Sequence, residues 1–494
     1  MYLAFENCRK SMINGTGIKA LCVQEFRAVY TVKIKKGVSI DMKNRKMMAL
    51  LLAASMVLTA CGGSGTGESA EPDSTGGTEA ASDEGAEGTT DTEQVTLTFW
   101  SWLPTADQGD VMIEAFEKEN PDIKIDYIRT EQSDFFEKLQ VAMASGTGPD
   151  LFGMTTGSMT EQYAPFAADM KELADQNWSG WDGIISETAV KQCTTADGKL
   201  TGMPLLVAGM TDLLYNKTLM DECGITEVPR TYEELVDAAK KAKDKGYVCV
   251  AIGGADDWVN SDLFIQLSNE FEEGAVYAAE KGEKKWTDQC FVDTLQAWQN
   301  LFNEGVFEDG ALGVATYPDA RDQYFFARKS VFFLTGSWYL GPTSPTNDEI
   351  QGTEIANQKD VIGMSVFPSL SESKTICGTS GVDVMICVNA DCEKKEAAMK
   401  FIEFLANGDG QQYWVNQLQG APVSSRISYT GTVDGELQQQ SIDEVNSYVS
   451  NAVGNRKLGS SELETALGIA MQNVAAGADP LTELQTVQAT ADSL

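Results

Sequence analysis

From residue 95 onward the chain is predicted to be an α/β protein, a parallel sheet with helices on its faces. Three observations carry this. Short apolar runs and helical stretches alternate in the order strand, helix, strand, helix, strand between residues 95 and 154. The same alternation resumes at 232–252, where a capped helix leads into the apolar run Tyr247–Ile252. The chain has 494 residues, 43% of them apolar, enough for two ordinary domains with sizeable cores.

Val95-Thr-Leu-Thr-Phe-Trp100 alternates apolar and polar positions as a half-buried strand does, and Ser101-Trp102-Leu103-Pro104 breaks it. Residues 106–119 place Val111, Ala115 and Phe116 on one helical face, and Asn120-Pro121 ends the helix. Ile123–Ile128 is a second strand. Ser133 is a candidate cap for a helix reaching about Ser145. Gly146-Thr-Gly-Pro-Asp150 turns the chain into the short buried strand Leu151–Met154. Ligands on such sheets bind at the carboxyl ends of the strands, which directs attention to Trp100–Pro104 and Gly153–Ser158. Further on, Thr231-x-x-Glu234 reads as a capping box for a helix that runs to Lys245 and stops at Gly246. Residues 262–305 read as mostly helical. Strands are expected at 330–334, 361–367 and within 378–388. Helices are expected at 393–406, 436–453 and 460–476. Phe325, Phe326, Val331, Phe332 and Phe333 are assigned to a helix and a strand that end at Leu334-Thr335-Gly336-Ser337-Trp338.

The first 94 residues have another character. Met42-Lys43-Asn44-Arg45-Lys46 precedes fourteen apolar or small residues, Met47–Ala60, and then Cys61. A charged n-region before a short apolar h-region is the pattern of a secretory signal. The run falls short of the roughly 20 residues that span a bilayer. Leu58-Thr59-Ala60-Cys61 is similar to a bacterial lipobox, which implies lipidation of Cys61 and removal of residues 42–60. Residues 1–41 then read as an N-terminal extension from a mis-called start, since Met42 begins a complete signal by itself; a real leader is the alternative. Residues 62–94 contain nine acids, no base and no aromatic residue. Such a segment cannot form a core, so 61–94 is expected to be a disordered tether, reaching about 30 Å as a plain coil.

Charge and composition exclude several classes. The formal net charge is −36, and residues 1–61 hold ten of the 37 bases but only three of the 73 acids. The remainder is therefore more acidic still. Nucleic acid, whose binding runs on Lys/Arg contacts to phosphate, is set aside. Direct adhesion to anionic lipid is disfavoured, so attachment to a membrane falls to Cys61. The chain has no histidine, which excludes Ser-His-Asp and Cys-His catalysis and histidine-ligated zinc. The seven cysteines after Cys61 are irregularly spaced without a Cys-x-x-Cys pair, so no metal site is expected, and no cofactor. One or two disulfides remain open.

The order of motifs then resembles a known family. The lipobox and acidic tether are followed by an aromatic first strand, Gly146-x-Gly-Pro-Asp150, Gly202-x-Pro204 with Leu214-Tyr215-Asn216-Lys217, Gly336-Ser337-Trp338 and Gly420-Ala421-Pro422. This is similar to the family 1 extracellular solute-binding lipoproteins of ABC importers, in the maltose- and oligosaccharide-binding branch. The resemblance implies a two-lobed, type II periplasmic-binding-protein-like fold with the ligand cleft between the lobes. Lobe 1 would take residues 95–209 and 376–452, and lobe 2 residues 210–375 and 453–494. It also implies hinge closure on a carbohydrate, delivery to ABC permease subunits, no catalysis, and an extracytoplasmic place anchored to the cell membrane through Cys61. A monomer is the default.

A pyranose offers C–H faces to flat aromatic rings and a rim of hydroxyls to carboxylates and amides. Trp102, Trp258 and Trp338 each follow an expected strand. Trp338 fits the family motif best as a stacking platform; packing under the lobe is the alternative for each ring. Asp257 with Trp258 reads one sugar ring or forms a solvated acidic turn. Asp383 is a rim candidate or a core residue, and Thr156 and Ser158 are candidates in the loop after the third strand. A non-sugar solute stays open, although an anionic one needs Lys or Arg and these loops carry none. An anchored glycoside hydrolase is the alternative of another class. It needs two carboxyls roughly 5–9.5 Å apart, and Asp256/Asp257 is the nearest pair, in a chain where acids are abundant.

Overall fold

The structure, a computed structural model, describes residues 94–494. The expected extension 1–41, signal 42–60, lipidated Cys61 and tether up to residue 93 lie outside the described residues.

The strands are β1 (Val95–Ser101), β2 (Ile123–Arg129), β3 (Leu151–Met154), β4 (Met203–Asn216), β5 (Val248–Ala251), β6 (Ser330–Gly336), β7 (Ile362–Val366), β8 (Thr379–Val388), β9 (Ala421–Pro422) and β10 (Gly454–Asn455). Their order is β2-β1-β3-β8-β4-β6-β5, with β10 beside β8 and with β7 and β9 beside β4. The expected parallel pairing holds for β1 with β2 and β3, and for β5 with β6. It fails at the middle, where β8 runs antiparallel to β3 and β4 antiparallel to β8, β6 and β7. The reason is β4. Its first half, Met203–Gly209, pairs with β8, and its second half, Met210–Asn216, pairs with β6 and β7. One long buried strand thus belongs to two sheets. At the change of sheet Thr211 has φ +75°, a left-handed conformation that is a strained outlier for a β-branched residue.

Each half has its own core. The first gathers Leu97, Phe99, Phe152, Met203, Ile386 and Trp414. It is covered by α1 (Ala106–Glu119), α2 (Gln132–Ser145), α3 (Ser158–Tyr163), and further along the chain Lys395–Asn407 and Asp409–Asn416. The second gathers Leu213, Val250, Phe264, Trp298, Phe332 and Met471. Here the helices are α4 (Tyr232–Asp244), α5 (Asp257–Phe271), α6 (Gln289–Asn303), then α7 (Lys395–Asn407) and α8 (Asp409–Asn416) back in the first half, α9 (Glu436–Ser450), α10 (Ser461–Ala475) and α11 (Pro480–Ala491). Local signals are met as expected at α4. Thr231 Oγ1 accepts from the Glu234 amide, and Glu234 returns a carboxylate to the Arg230 amide at 2.7 Å. Gly246, at φ +84°, follows the helix end.

Helix α9 departs from expectation. It falls in the span given to lobe 1, yet it packs on β7 and β4 of the second sheet. Ile442, Val445 and Val449 enter a third cluster with Leu214, Phe333 and Met364, and Ser441 Oγ accepts from the Met364 amide at 2.9 Å. Its apolar face shares that cluster with Phe325, Tyr339, Leu340 and Leu418. All seven cysteines of the described residues are buried free thiols, so the open question of disulfides is answered without one among them.

Candidate functional site

The strand ends that position the site follow from steric need. β3 is buried along its whole length, so Thr155 and Thr156 emerge at its carboxyl end. The next residue, Gly157, has φ +75°, and a Cβ there would stand 2.6 Å from the Leu458 carbonyl oxygen. Glycine lets the first half of the molecule touch the segment 456–458 backbone to backbone. In the second half β5 leads to Gly253, where a Cβ would fall on Thr316, and then to α5, whose first turn carries Asp257 and Trp258.

Between these ends lies a cavity of about 230 Å³. The first half contributes Gln132, Phe136, Thr156 and Ser158; the second contributes Asp257, Trp258 and Ser261. Arg456, Lys457 and Glu464 complete the wall. Four expected site residues, Thr156, Ser158, Asp257 and Trp258, are therefore brought together from positions up to a hundred residues apart. Thr156 Oγ1 donates to the Val382 carbonyl at 3.3 Å, which fixes the rotor toward β8.

Trp338 stands behind this wall. Its ring folds back over Gly336, where a Cβ would come within 2.1 Å of it. Its Nε1 donates to Tyr317 Oη at 3.0 Å, and its centroid is 6.0 Å from that of Trp258, tilted by 52°. The two tryptophans form one half-buried aromatic pair.

Two expectations need correction in their geometry. Trp102 is 7% exposed and sits in the first core, 5.4 and 5.6 Å from the rings of Phe135 and Phe136. Phe136, not Trp102, reaches the cavity. The strand β1 continues to Ser101, so the residue that follows it points inward rather than into a loop. Asp383 is 8% exposed, and its Oδ1 accepts from Arg456 Nη1 at 3.0 Å. The carboxylate is committed to a cation before any ligand arrives.

The reading that the site lacks Lys and Arg also changes. Arg456 and Lys457 line the cavity, and they are the only Lys or Arg after Arg426 in the sequence, a signal that was there to be seen. Both are matched. Asp262 accepts from Arg456 Nε at 3.1 Å and from Lys457 Nζ at 2.6 Å. Burial works against the Arg456 cation, but Asp262 and Asp383 outweigh it and hold its pKa above the ordinary value. Burial pushes the Glu464 carboxyl up, and burial with the neighbouring Asp256 does the same for Asp257. The two cations are thus matched by Asp262 and Asp383, while the Asp257 and Glu464 carboxyls line the cavity without a cation of their own among the described residues. Asp256 is engaged: its Oδ2 accepts from the Thr316 amide at 2.7 Å.

Residues 105–412 match the family model of the bacterial extracellular solute-binding proteins. The putative ABC transporter periplasmic-binding protein YcjN of Escherichia coli K12 is 25% identical over 408 residues, covering 78% of this chain and 88% of its own. A chitin oligosaccharide binding protein superposes with a TM-score of 0.67 at 20% identity, over 81% of this chain and 99% of that one. Maltose-bound MalE3 of T. maritima does so with a TM-score of 0.66 at 19% identity, over 81% and 99%. The family and these relatives are binding proteins rather than enzymes. With its two α/β lobes, joined through β4, this chain belongs to the bacterial extracellular solute-binding protein family.

Proposed function

We propose that this chain is the substrate-binding lipoprotein of an ABC importer, that it captures a carbohydrate between its lobes, and that it delivers it to a membrane permease. Lipid on Cys61 would hold the monomer at the outer face of the cell membrane, and the acidic tether would let it move there. The carrying observation is the cavity that Trp258 lines from one lobe and the hydroxyl-bearing Thr156 and Ser158 line from the other. An aromatic face against a hydroxyl-bearing rim is the complement of a sugar ring. Both cations at the cavity are already paired with carboxylates, which disfavours an anionic solute. At about 230 Å³ the cavity is below the roughly 300–1,000 Å³ of drug-sized pockets. It suits one sugar ring, and an oligosaccharide would run outward along the cleft or need the lobes to part. Asp257 would take a sugar hydroxyl as acceptor.

The test is intrinsic tryptophan fluorescence and thermal shift of the mature chain against mono-, di- and oligosaccharides. Ligand at 100 times its Kd should add about 2.7 kcal/mol of stability. Trp258→Ala should weaken binding about ten- to a hundredfold, from about 1.5–3 kcal/mol of lost aromatic burial. Stabilisation by an amino acid or polyamine with none by any sugar would keep the binding role and end the carbohydrate reading.

A further inference from the structure

Arg456 lies where the chain leaves the first lobe for the last time. β10 pairs with β8, the Arg456 amide donates to the Ser380 carbonyl at 3.3 Å, and the chain then runs into α10 in the second core. The side chain is 4% exposed. Its guanidinium makes three different contacts. Nη1 reaches Asp383 on β8, in the first lobe, at 3.0 Å. Nε and Nη2 reach Asp262 on α5, in the second lobe, each at 3.1 Å. The carbon between the nitrogens stands 4.8 Å from the Trp338 ring centroid.

We propose that Arg456 is a positioning residue that ties the lobes at Asp383 and holds the Trp338–Trp258 pair in place for the ligand. The contacts are unequal in a way that gives the tie a direction. Toward the second lobe Arg456 has two nitrogens on Asp262, whose other oxygen is held by Lys457, and an aromatic face. Toward the first lobe it has one side-chain bond, to Asp383. When the lobes part, Arg456 stays with α5 and Trp338, and the Asp383 bond is the one that breaks. A buried ion pair is a weak source of stability, because desolvation offsets the attraction, and fixing a geometry is its better-attested use. A guanidinium is suited to it, since its planar fork can serve two carboxylates and still lie against a ring. Lobe angle and aromatic geometry are thus set by the same side chain.

The inference rests on the sugar-binding reading for its consequence but not for its first test. Spin labels on the two lobes of the mature chain report the interlobe distance without ligand. Asp383→Asn should broaden that distribution toward longer distances, and so should Arg456→Met. The double variant R456M/D383L removes both ends of the tie and leaves Asp262 with Lys457, so it keeps a folded control without an orphaned charge. R456K keeps the charge without the fork and should restore the distribution only in part. If the closed fraction falls tenfold, the apparent Kd for the sugar rises about tenfold, while Ser158→Ala changes Kd without moving the distance. An unchanged distance distribution in Asp383→Asn and in the folded double variant overturns the proposal. A changed distribution in a chain that binds no sugar sustains the tie and overturns the carbohydrate reading instead.

Discussion

The two walls of the cavity are built from different chemistry. The first lobe offers neutral groups, the hydroxyls of Thr156 and Ser158, the Gln132 amide and the Phe136 ring. The second offers the Trp258 ring, backed by Trp338, and, with the crossing segment, the charged side chains that line the cavity. The same contrast separates two tryptophans that read alike in sequence, each placed just after an expected strand. Trp258 is half-buried on the cavity wall, whereas Trp102 packs behind Phe136 in the first core. On the proposed function, recognition would be asymmetric: the second lobe would supply the surface to stack on, and the first would close over it with hydrogen-bonding groups.

The sharpest way to break this contrast is to truncate both rings. Trp102→Ala should cost about 3–5 kcal/mol of stability, as loss of a buried aromatic side chain does. It should leave sugar affinity per folded molecule nearly unchanged. Trp258→Ala should do the reverse. Urea unfolding with a binding isotherm on each variant measures both. If Trp102→Ala abolishes binding at full stability, the ring belongs to the site and the division between the walls is wrong.

That pair of residues also shows what was legible in the sequence. Type II architecture, strand ends and the cleft were readable, because buried strands such as Leu151–Met154 and the motif order mark them locally. The rule that ligands meet the carboxyl ends of strands picked out four candidates that line one cavity, Thr156, Ser158, Asp257 and Trp258. Orientation was not readable. Whether the ring after a strand points to a cleft or a core depends on one residue more or less of strand, and β1 extends to Ser101. Arg456 was passed over because it follows a two-residue strand with no periodicity of its own. Its partners Asp262 and Asp383 are 194 and 73 residues away, and only the fold brings them together. For the same reason α9 was given to lobe 1: its amphipathic face says that it packs, not on which sheet.

The lobes should also differ in their response to pH. In the second, burial pushes Glu270 up to about 8 and Glu308 up to about 7. A buried carboxyl with a raised pKa binds its proton more tightly when folded. Its contribution is complete below the ordinary glutamate pKa and is lost as pH rises toward 8, by about 1.4 kcal/mol per pH unit for each group at most. In the first lobe Asp150 goes the other way. Burial would raise it, but the Thr98 amide and hydroxyl and the Lys394 ammonium outweigh burial and hold it below its ordinary value. Its contribution is present at neutral pH and is lost as pH falls through the acid range. Hydrogen exchange between pH 5 and 8.5 should show the second lobe loosening first as pH rises, and Glu270→Gln should flatten that slope. Equal loosening of both lobes with pH, unchanged by the substitution, would remove the distinction.

The smallest effect tests the first wall alone. Thr156 donates its proton to the Val382 carbonyl, so its oxygen is left to accept from a ligand hydroxyl. Thr156→Val keeps the shape and removes both roles. Losing the bond to β8 should cost about 1 kcal/mol of stability, and losing the acceptor should weaken sugar binding several-fold. Ser158→Ala, at the start of α3 on the same wall, should weaken binding by a similar amount with less change in stability. The two substitutions should add in their effect on binding if each hydroxyl meets a separate sugar oxygen, and fall short of additivity if they share one. A double variant with wild-type affinity would mean that the first lobe excludes water from the ligand without bonding to it, which leaves recognition to the second lobe.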